Sequence, residues 1–365
     1  MSEPPLRVAI IGSARSVHTR RWARRLAEAG HDAHLFTERP EQVDGVTVHD
    51  ILGRRLPGSI GVRKLWRRWH LRRALRELDP HVVQTHFLWP YGEWGRRAGR
   101  HPIVQGAWGS DVLIIPQRSP DKLRLTRQML AEADAVTANS DSLAGAVAAL
   151  GVQPDRIHRI GWGVDTLRFS GAVDRSLVDT IFPGRRVVIS PRLHKALYNL
   201  DVLVEAVPLV LRDVPDAAFL FMGDGADTAA LGAQAERLGV AGAVHFRNFA
   251  EDELPLVFAG GDLSVSIPSS DTGRPTSLLE AMASRLPVVV SDLPAIREMV
   301  GEGEGAEVVP LRDPVATAAA ITRLLADDAL RERYGERNRR VVAERADAQD
   351  ETRRCVELYR RLSRS

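Results

Sequence analysis

Short runs of β-branched and apolar residues alternate with longer amphipathic segments along both halves of the chain. This alternation is typical of α/β proteins, in which helices join the strands of a parallel sheet. The first half predicts strands at Arg7–Ile11, Ala33–Thr37, Val82–Thr85, Ile103–Gly106 and Ala135–Ala138. The second half predicts strands at Arg186–Ser190, Ala218–Met222, Val244–Phe246, Leu263–Ile267, Val288–Val290 and Glu307–Val309.

The pattern predicts two Rossmann-like domains, a number for which 365 residues suffice. A loop-like stretch, Phe169–Pro183, separates the two series of strands and is predicted to be the linker. The chain ends in a helical segment rich in Arg and Glu, from Asp327 to Leu362. We therefore predict domains at residues 1–172 and 173–346, followed by a terminal helix at residues 347–365.

Charge divides the chain in the same way. Residues 1–170 contain 26 Lys and Arg against 17 Asp and Glu, whereas residues 171–365 contain 24 against 30. A basic half and an acidic half favour two domains with different partners. The single cysteine, Cys355, excludes an internal disulfide framework and indicates a reducing, cytoplasmic location. No stretch approaches the roughly 18 apolar residues of a membrane span.

The segment from Asp262 to Asp292 carries the clearest chemistry. It predicts a strand, a turn rich in Gly and Pro, and a helix that opens at Thr276-Ser277-Leu278. Such a turn directs unpaired N–H groups and a positive helix end at a bound anion. Glu280, one turn into the helix, could accept hydrogen bonds from two sugar hydroxyls. The alternative is a capping box, in which Ser277 and Glu280 satisfy the helix terminus.

Together with its turn, the sequence SLLEAMASRLPVV resembles the donor-site signature of retaining GT-B glycosyltransferases of family 4. The family signature has two acidic residues eight positions apart, of which Glu280 is the second. Here the first position is Thr272, and the nearest carboxylate is Asp271. The resemblance implies two Rossmann-like domains facing across a cleft, with the final helix crossing back to the N-terminal domain. It further implies that the N-terminal domain binds the acceptor and the second domain the nucleotide sugar.

The family's diphosphate-binding segment is similar to Ser190-Pro191-Arg192-Leu193-His194-Lys195. Transfer places charge on the leaving diphosphate, which fixed cations stabilise. Arg192 matches the family arginine, whereas Lys195 lies three positions after it instead of five. A solvated loop pair is the alternative. The resemblance implies catalytic roles for Arg192, Lys195 and Glu280. It implies donor contacts at Asp271, Thr272, Gly273, Thr276, Ser277, Leu278, Gly223, Asn248, Phe249 and Gly163.

Loops that follow strands in the first half resemble the family's acceptor-side loops. The position often occupied by His in relatives is Trp108, which cannot accept a proton. This agrees with front-face substitution, in which the leaving phosphate takes the proton of the acceptor. The alternative for His18 is an ordinary helix residue. The implied acceptor contacts are Gly12, Ser13, His18, His86, Trp108 and Asp111.

The resemblance implies retaining transfer of a hexosyl group without a metal ion or cofactor. The donor would be a UDP- or GDP-linked sugar, and the acceptor a hydroxyl of a cell-surface glycan, a glycolipid or a small natural product. Two rival functions share the fold: a nucleotide-sugar 2-epimerase, and a non-catalytic protein that binds a nucleotide sugar. Turnover of a donor with and without acceptors distinguishes the three.

A basic amphipathic helix is predicted from Val62 to Leu78. Seven Arg and Lys surround an apolar stripe that contains Trp66 and Trp69. Such a helix suits the inner face of the plasma membrane, since anionic lipids attract basic residues at the membrane surface. The alternative is a helix packed on the first sheet with solvated charges. Nucleic acid is disfavoured because the second half is acidic and has no stacking motif.

Overall fold

The computed structural model describes residues 4–51, 60–96, 99, 101–271, 274–300 and 304–364, without the side chains of residues 60–65, 67 and 68. The chain forms two compact units, Met1–Trp162 with Gln349–Ser365, and Gly163–Ala348. The predicted boundary between residues 172 and 173 therefore lies inside the second unit. Each unit is an α/β layer structure built on one parallel sheet.

The first unit contains a sheet of seven strands. In chain order its elements are β1 (Arg7–Ile11), α1 (Val17–Glu28), β2 (Asp32–Thr37), β3 (Thr47–Asp50), α2 (Ile60–Leu78), β4 (Val82–His86), α3 (Glu93–Gly95), β5 (Ile103–Gly106), α4 (Ser110–Leu113), α5 (Pro120–Ala131), β6 (Ala135–Ala138), α6 (Asp141–Ala149) and β7 (Ile157–Arg159). The spatial order is β3-β2-β1-β4-β5-β6-β7. The direction of strand succession therefore reverses between β1 and β4.

The second unit contains a sheet of six strands. Its elements are β8 (Arg186–Ser190), α7 (Leu200–Asp213), β9 (Ala217–Met222), α8 (Thr228–Arg237), β10 (Val244–Arg247), α9 (Leu254–Ala259), β11 (Leu263–Ser266), α10 (Thr276–Ala283), β12 (Val288–Ser291), α11 (Pro294–Val300), β13 (Ala306–Val309), α12 (Pro314–Ala326) and α13 (Asp328–Arg345). The order β10-β9-β8-β11-β12-β13 reverses between β8 and β11.

Every strand predicted from the pattern is present, within one or two residues at each end. The pattern missed β3 and β7. Both are short strands with polar residues, TVHD and IHR, and both lie at the outer edges of the first sheet. An edge strand is buried on fewer sides, so its sequence need not be apolar.

The predicted linker is not a linker. Phe169, Val178 and Phe182 are all buried in the core of the second unit. The ring of Phe169 lies 5.9 Å from that of Phe258, centroid to centroid. The stretch contains no strand, but it supplies apolar side chains to the part of the core that also contains residues of α9 and α10.

The terminal helix, α14 (Ala348–Ser363), contributes to the core of the first unit. Cys355 and Tyr359 are fully buried there. The hydroxyl of Tyr359 donates to the side-chain oxygen of Gln84 on β4, which also accepts from the indole of Trp22 at 3.0 Å. The carboxylate of Glu351 accepts the N–H of Gly161 at 2.9 Å. The helix is thus part of the first unit and not an appendage.

The predicted basic helix is α2. Leu71 and Leu75 are buried against the sheet, whereas the indole of Trp69 is 53% exposed. Part of the apolar stripe therefore packs on the first sheet, as predicted by the alternative to a membrane-binding helix. The predicted cationic side chains at positions 63, 64, 67 and 68 lie outside the described residues.

Within the described ranges, no helix combines the length and apolar character needed to cross a bilayer.

Candidate functional site

Both units place their chemically distinctive side chains at the carboxyl ends of neighbouring strands. In open parallel sheets, ligands bind outside these ends, at the point where the strand order reverses. In the second unit this point lies between β8 and β11. The loop after β8 carries Arg192, and the loop after β11 carries Asp271, so the topology brings the two predicted donor segments together.

Arg192 is buried, with 8% of the residue exposed. Its guanidinium forms an ion pair with Asp271, and it also lies over the ring of Tyr198, 4.6 Å from the centroid. An arginine held by a carboxylate and an aromatic face is preorganised to bind a phosphate. Of the two candidates for the first acid, Asp271 is therefore placed beside the arginine. Thr272 and Gly273 lie outside the described residues.

Lys195 has a different environment. It immediately precedes a short 3-10 turn, Ala196–Tyr198, and its side chain is exposed. Sequence spacing alone could not show this difference between Arg192 and Lys195.

One buried side chain that the sequence did not single out holds this region together. Asn199 has left-handed backbone geometry, with φ of 50°, and its amide nitrogen donates to the carbonyl of Ile267 at 2.9 Å. Its amide oxygen accepts from Ser269 Oγ and from Arg312 Nη1, each at 2.9 Å. The only sequence signal was an Asn directly before a helix, a residue type that tolerates this geometry. Asn199 thus fixes the turn after β11 against the loop after β8.

The helix α10 begins at Thr276, and its N-cap position is Pro275, which makes no side-chain capping bond. The capping-box alternative for Ser277 and Glu280 is therefore wrong, because Ser277 lies inside the helix. The N–H of Leu278 donates to the carbonyl of Pro275 at 3.0 Å, so it already has a partner. Glu280 is only 5% exposed, on a helix whose neighbouring residues pack into the core. A buried carboxylate at this edge of the sheet suits the recognition of hydroxyl groups.

The turn Gly223-Asp224-Gly225 packs against the loop that carries Arg192. The N–H of His194 donates to the carbonyl of Asp224 at 3.0 Å. A Cβ atom at Gly225 would lie 2.2 Å from the carbonyl oxygen of His194, so only glycine fits. Gly223 has φ of 98°, which also favours glycine. The packing of the two loops is therefore sufficient to explain why glycine occupies these positions, whether or not a ligand also approaches the turn.

The remaining predicted donor residues lie in two places. Asn248 is exposed, whereas Phe249 is buried beneath the guanidinium of Arg247, 4.7 Å from its ring centroid. A Cβ atom at Gly163 would lie 2.6 Å from the Cα atom of Ala348. That glycine permits the short parallel bridge between Val164 and Asp347.

In the first unit the strand ends hold an aromatic cluster of His18, Trp22, His86, Trp108 and Trp162. Neighbouring rings lie between 4.7 and 6.3 Å apart, centroid to centroid. The cluster brings together three predicted acceptor residues, from α1, from the end of β4 and from the loop after β5. Trp162 was not among the predicted acceptor residues, because ring contacts between distant segments leave no local signal in the sequence.

Burial keeps both histidines of the cluster neutral. It lowers the pKa of His18 to about 4, with further contributions from the nearby Arg21 and Arg25. It lowers the pKa of His86 to about 3, with contributions from His18 and Arg25. At neutral pH each imidazole has one N–H donor and one acceptor nitrogen.

The other predicted acceptor residues, Asp111, Gly12 and Ser13, lie in the segments that carry this cluster. The Asp111 carboxylate is buried and accepts the N–H groups of Leu88, Trp108 and Gly109 at 2.9, 3.0 and 2.7 Å. Burial raises its pKa to about 6 against the opposing effect of these bonds. Its oxygens therefore position the loop of Trp108. A Cβ atom at Gly12 would lie 3.1 Å from the Cβ of His86, and the next residue, Ser13, is half-buried.

Among the described residues, no group of three or more His, Cys, Asp or Glu side chains is arranged to hold a metal ion.

The close contact at Gly225 yields a prediction. We expect Gly225→Ala to lower the free energy of unfolding by at least about 1 kcal/mol, because His194 or the turn must move. The matched control is Gly232→Ala in α8, where a Cβ atom meets nothing within 4 Å. That control is expected to stabilise the protein by up to about 1 kcal/mol through helix propensity. Urea unfolding checks both variants, and equal midpoints would contradict the packing described here.

Comparison with known proteins matches both halves of the chain. The model of Glycosyltransferase Family 4 matches residues 16–168, and the model described as Glycosyl transferases group 1 matches residues 184–327. The phosphatidyl-myo-inositol mannosyltransferase of Mycobacterium tuberculosis (strain ATCC 25618 / H37Rv) is 34% identical over 158 residues, 41% of this chain and 40% of that protein. The D-inositol 3-phosphate glycosyltransferase of Corynebacterium urealyticum is 26% identical over 264 residues, 67% of this chain and 61% of that protein. The matched regions span 40% and 61% of the length of these two relatives, less than two thirds in each case.

Solved structures resemble the fold over nearly the whole chain. A glycosyltransferase from Rickettsia africae has a TM-score of 0.83 at 14% identity, covering 99% of both chains. Anabaena Alr3699/HepE, solved with UDP and glucose, has a TM-score of 0.81 at 17% identity, covering 97% of this chain and 99% of that one. With its two parallel-sheet α/β units, its GT-B neighbours and family matches in both halves, the chain belongs to the family 4 glycosyltransferases.

Proposed function

We propose that the protein is a retaining glycosyltransferase that moves a hexosyl group from a UDP- or GDP-linked sugar to a hydroxyl acceptor. The observation that carries the proposal is the pairing of buried Arg192 with Asp271 where the strand order reverses in the second unit. This cation lies at the edge of the sheet where parallel α/β proteins bind nucleotides. Buried Glu280 follows on α10.

In the proposed reaction, the acceptor oxygen forms a bond to the anomeric carbon as the bond to the diphosphate breaks. The electron pair leaves with the nucleoside diphosphate, whose oxygen takes the proton of the acceptor on the same face of the sugar. Arg192 would stabilise the departing charge, a contribution of about 2–4 kcal/mol for a well-placed donor. Lys195, which is exposed, would have to turn toward the diphosphate to assist. Glu280 would accept hydrogen bonds from the hydroxyl groups of the nucleotide ribose.

Charge neutralisation by Arg192 and the first turn of α10 makes a metal ion unnecessary in this proposal. Asp271 would exchange its ion pair for a contact to the donor sugar. Gly223, Asn248, Phe249, Thr276 and Ser277 would line the nucleotide. The neutral cluster of the first unit would bind the acceptor, as expected for a substrate that reacts through a hydroxyl.

A thermal-shift panel of UDP, GDP, ADP and dTDP without metal tests the donor half of the proposal. We expect one nucleotide to stabilise the wild type by about 2.7 kcal/mol at 100 times its dissociation constant. Glu280→Gln should lose most of this shift, whereas the exposed control Glu236→Gln on α8 should retain it.

Incubation of the matching nucleotide sugar with and without acceptors tests the reaction. Product with the donor's anomeric configuration, seen by NMR, is the expected result. Inverted product would contradict retention. Epimerised donor without acceptor would identify a 2-epimerase, and binding without turnover would identify a non-catalytic protein.

We also propose that the protein acts in the cytoplasm, at the inner face of the plasma membrane, through α2. The guanidinium of Arg73 lies 5.6 Å from the ring centroid of the exposed Trp69. Arg72 and Arg76 on the same helix are also exposed. An exposed Trp among cations suits the interface of an anionic bilayer.

Co-sedimentation with anionic phospholipid vesicles tests this proposal. Trp69→Ser combined with Arg73→Glu should reduce the bound fraction several-fold, because each basic residue contributes about 1 kcal/mol near such a surface. Leu167→Ser, at an apolar residue that is 77% exposed in the second unit, is the control and should bind as the wild type does. Equal binding by all three proteins would refute the membrane contact.

A further inference from the structure

A small cavity lies inside the aromatic cluster of the first unit. Its volume is about 20 Å³, and its walls include His86, Gly106, Trp108, Asn139 and Trp162. A water or hydroxyl oxygen needs roughly 10–15 Å³ by this measure, so the cavity admits one such group. The indoles of Trp108 and Trp162, which belong to this lining, are half-buried.

Three buried polar atoms of the lining have no hydrogen-bond partner among the described residues. They are His86 Nε2, Trp108 Nε1 and Asn139 Oδ1. His86 is 1% exposed and Asn139 is 7% exposed, so bulk solvent does not satisfy them. Buried polar atoms nearly always have a partner, and leaving one unpaired is costly. Three such atoms around one cavity therefore indicate that a polar group occupies it.

The chemistry of these atoms selects the kind of group. Trp108 Nε1 can only donate a hydrogen bond, and Asn139 Oδ1 can only accept one. His86 Nδ1 lies 3.2 Å from Thr19 Oγ1, which can donate to it and leave the proton on Nε2. The ligand must therefore accept from two groups and donate to one. A hydroxyl does both, whereas a carboxylate or phosphate oxygen would face Asn139 Oδ1 without a proton, and an ammonium group could not accept from Trp108.

We propose that this cavity binds one hydroxyl group of an uncharged polyol, which donates to Asn139 Oδ1 and accepts from Trp108 Nε1 and His86 Nε2. The rest of the polyol extends past Trp108 and Trp162. The inference deepens the proposed function, on which it rests for the role of the polyol as acceptor. It assigns Asn139 to the site and an uncharged hydroxyl compound to the substrate class. Water fills the cavity when the polyol is absent.

The indole N–H groups report directly on this site. The chain has seven Trp residues, so ¹⁵N-labelled Trp gives a simple spectrum in which Trp108→Phe identifies the Trp108 signal. Titration with glycerol, D-glucose and myo-inositol, without nucleotide, should shift that signal in a saturable way with at least one of them. Asn139→Leu removes the acceptor while keeping the branching and the number of side-chain heavy atoms, and it should weaken the binding about tenfold. The control Gln128→Leu, at an exposed position of α5, should bind as the wild type does.

Each outcome decides the proposal. The other six indole signals show whether Asn139→Leu is folded, because Trp22 and Trp162 lie in the same cluster. A saturable shift that persists unchanged in Asn139→Leu would overturn the assignment of Asn139. A long-lived water at Trp108 Nε1 that none of the three polyols displaces would overturn the polyol site. Because no nucleotide is present, either result is independent of the donor panel.

Discussion

The geometry of the second unit depends on one buried amide. Asn199 donates to the carbonyl of Ile267 and accepts from Ser269 and Arg312, so its three bonds join the loop after β8, the turn after β11 and the loop after β13. Both the nitrogen and the oxygen of the Asn199 side-chain amide thereby have partners in a position without access to water. The turn after β11 also receives a bond from Ser291 Oγ to the carbonyl of Pro268, at 2.8 Å. With the turn so held, Asp271 reaches Arg192.

The two units use the same topological position for different chemistry. In each sheet the strand order reverses near the centre, and the loops at the carboxyl ends meet there. The first unit fills that position with rings, neutral imidazoles and orphan hydrogen-bonding atoms. The second fills it with an arginine, a carboxylate and a helix N-terminus. Neutral groups suit a hydroxyl compound, and charged groups suit a diphosphate, which is the division of roles that we propose.

The sequence predicted the inner strands of both sheets, because buried parallel strands are rich in apolar and β-branched residues. It failed for β3 and β7, where edge positions allow polar residues, and for Phe169–Pro183, where apolar side chains enter the core without forming a strand. The sequence alone allowed two interpretations of Glu280, as part of a helix cap or as a contact to the ligand. The structure excludes the cap, because α10 begins at Thr276.

Site contacts between distant segments could not be predicted. Asn199 bonds to residues 68 to 113 positions away, and His86 meets Thr19 across 67 positions. No local pattern encodes such pairs, since each depends on how the whole sheet is assembled. The same applies to Asn139, whose role became visible only through a cavity shared with His86 and Trp108.

We propose that a nucleoside diphosphate binds where Asn199 holds the turn after β11 against Arg192. Calorimetric dissociation constants of UDP and GDP for wild type and Asn199→Gly test it most directly. Glycine adopts the left-handed backbone of this position freely, so the variant removes the amide without straining the chain. We expect one nucleotide to bind the wild type and to bind the variant about tenfold more weakly, a loss of about 1.4 kcal/mol. Equal affinity for the two proteins, or no binding of either nucleotide to the wild type, would contradict it.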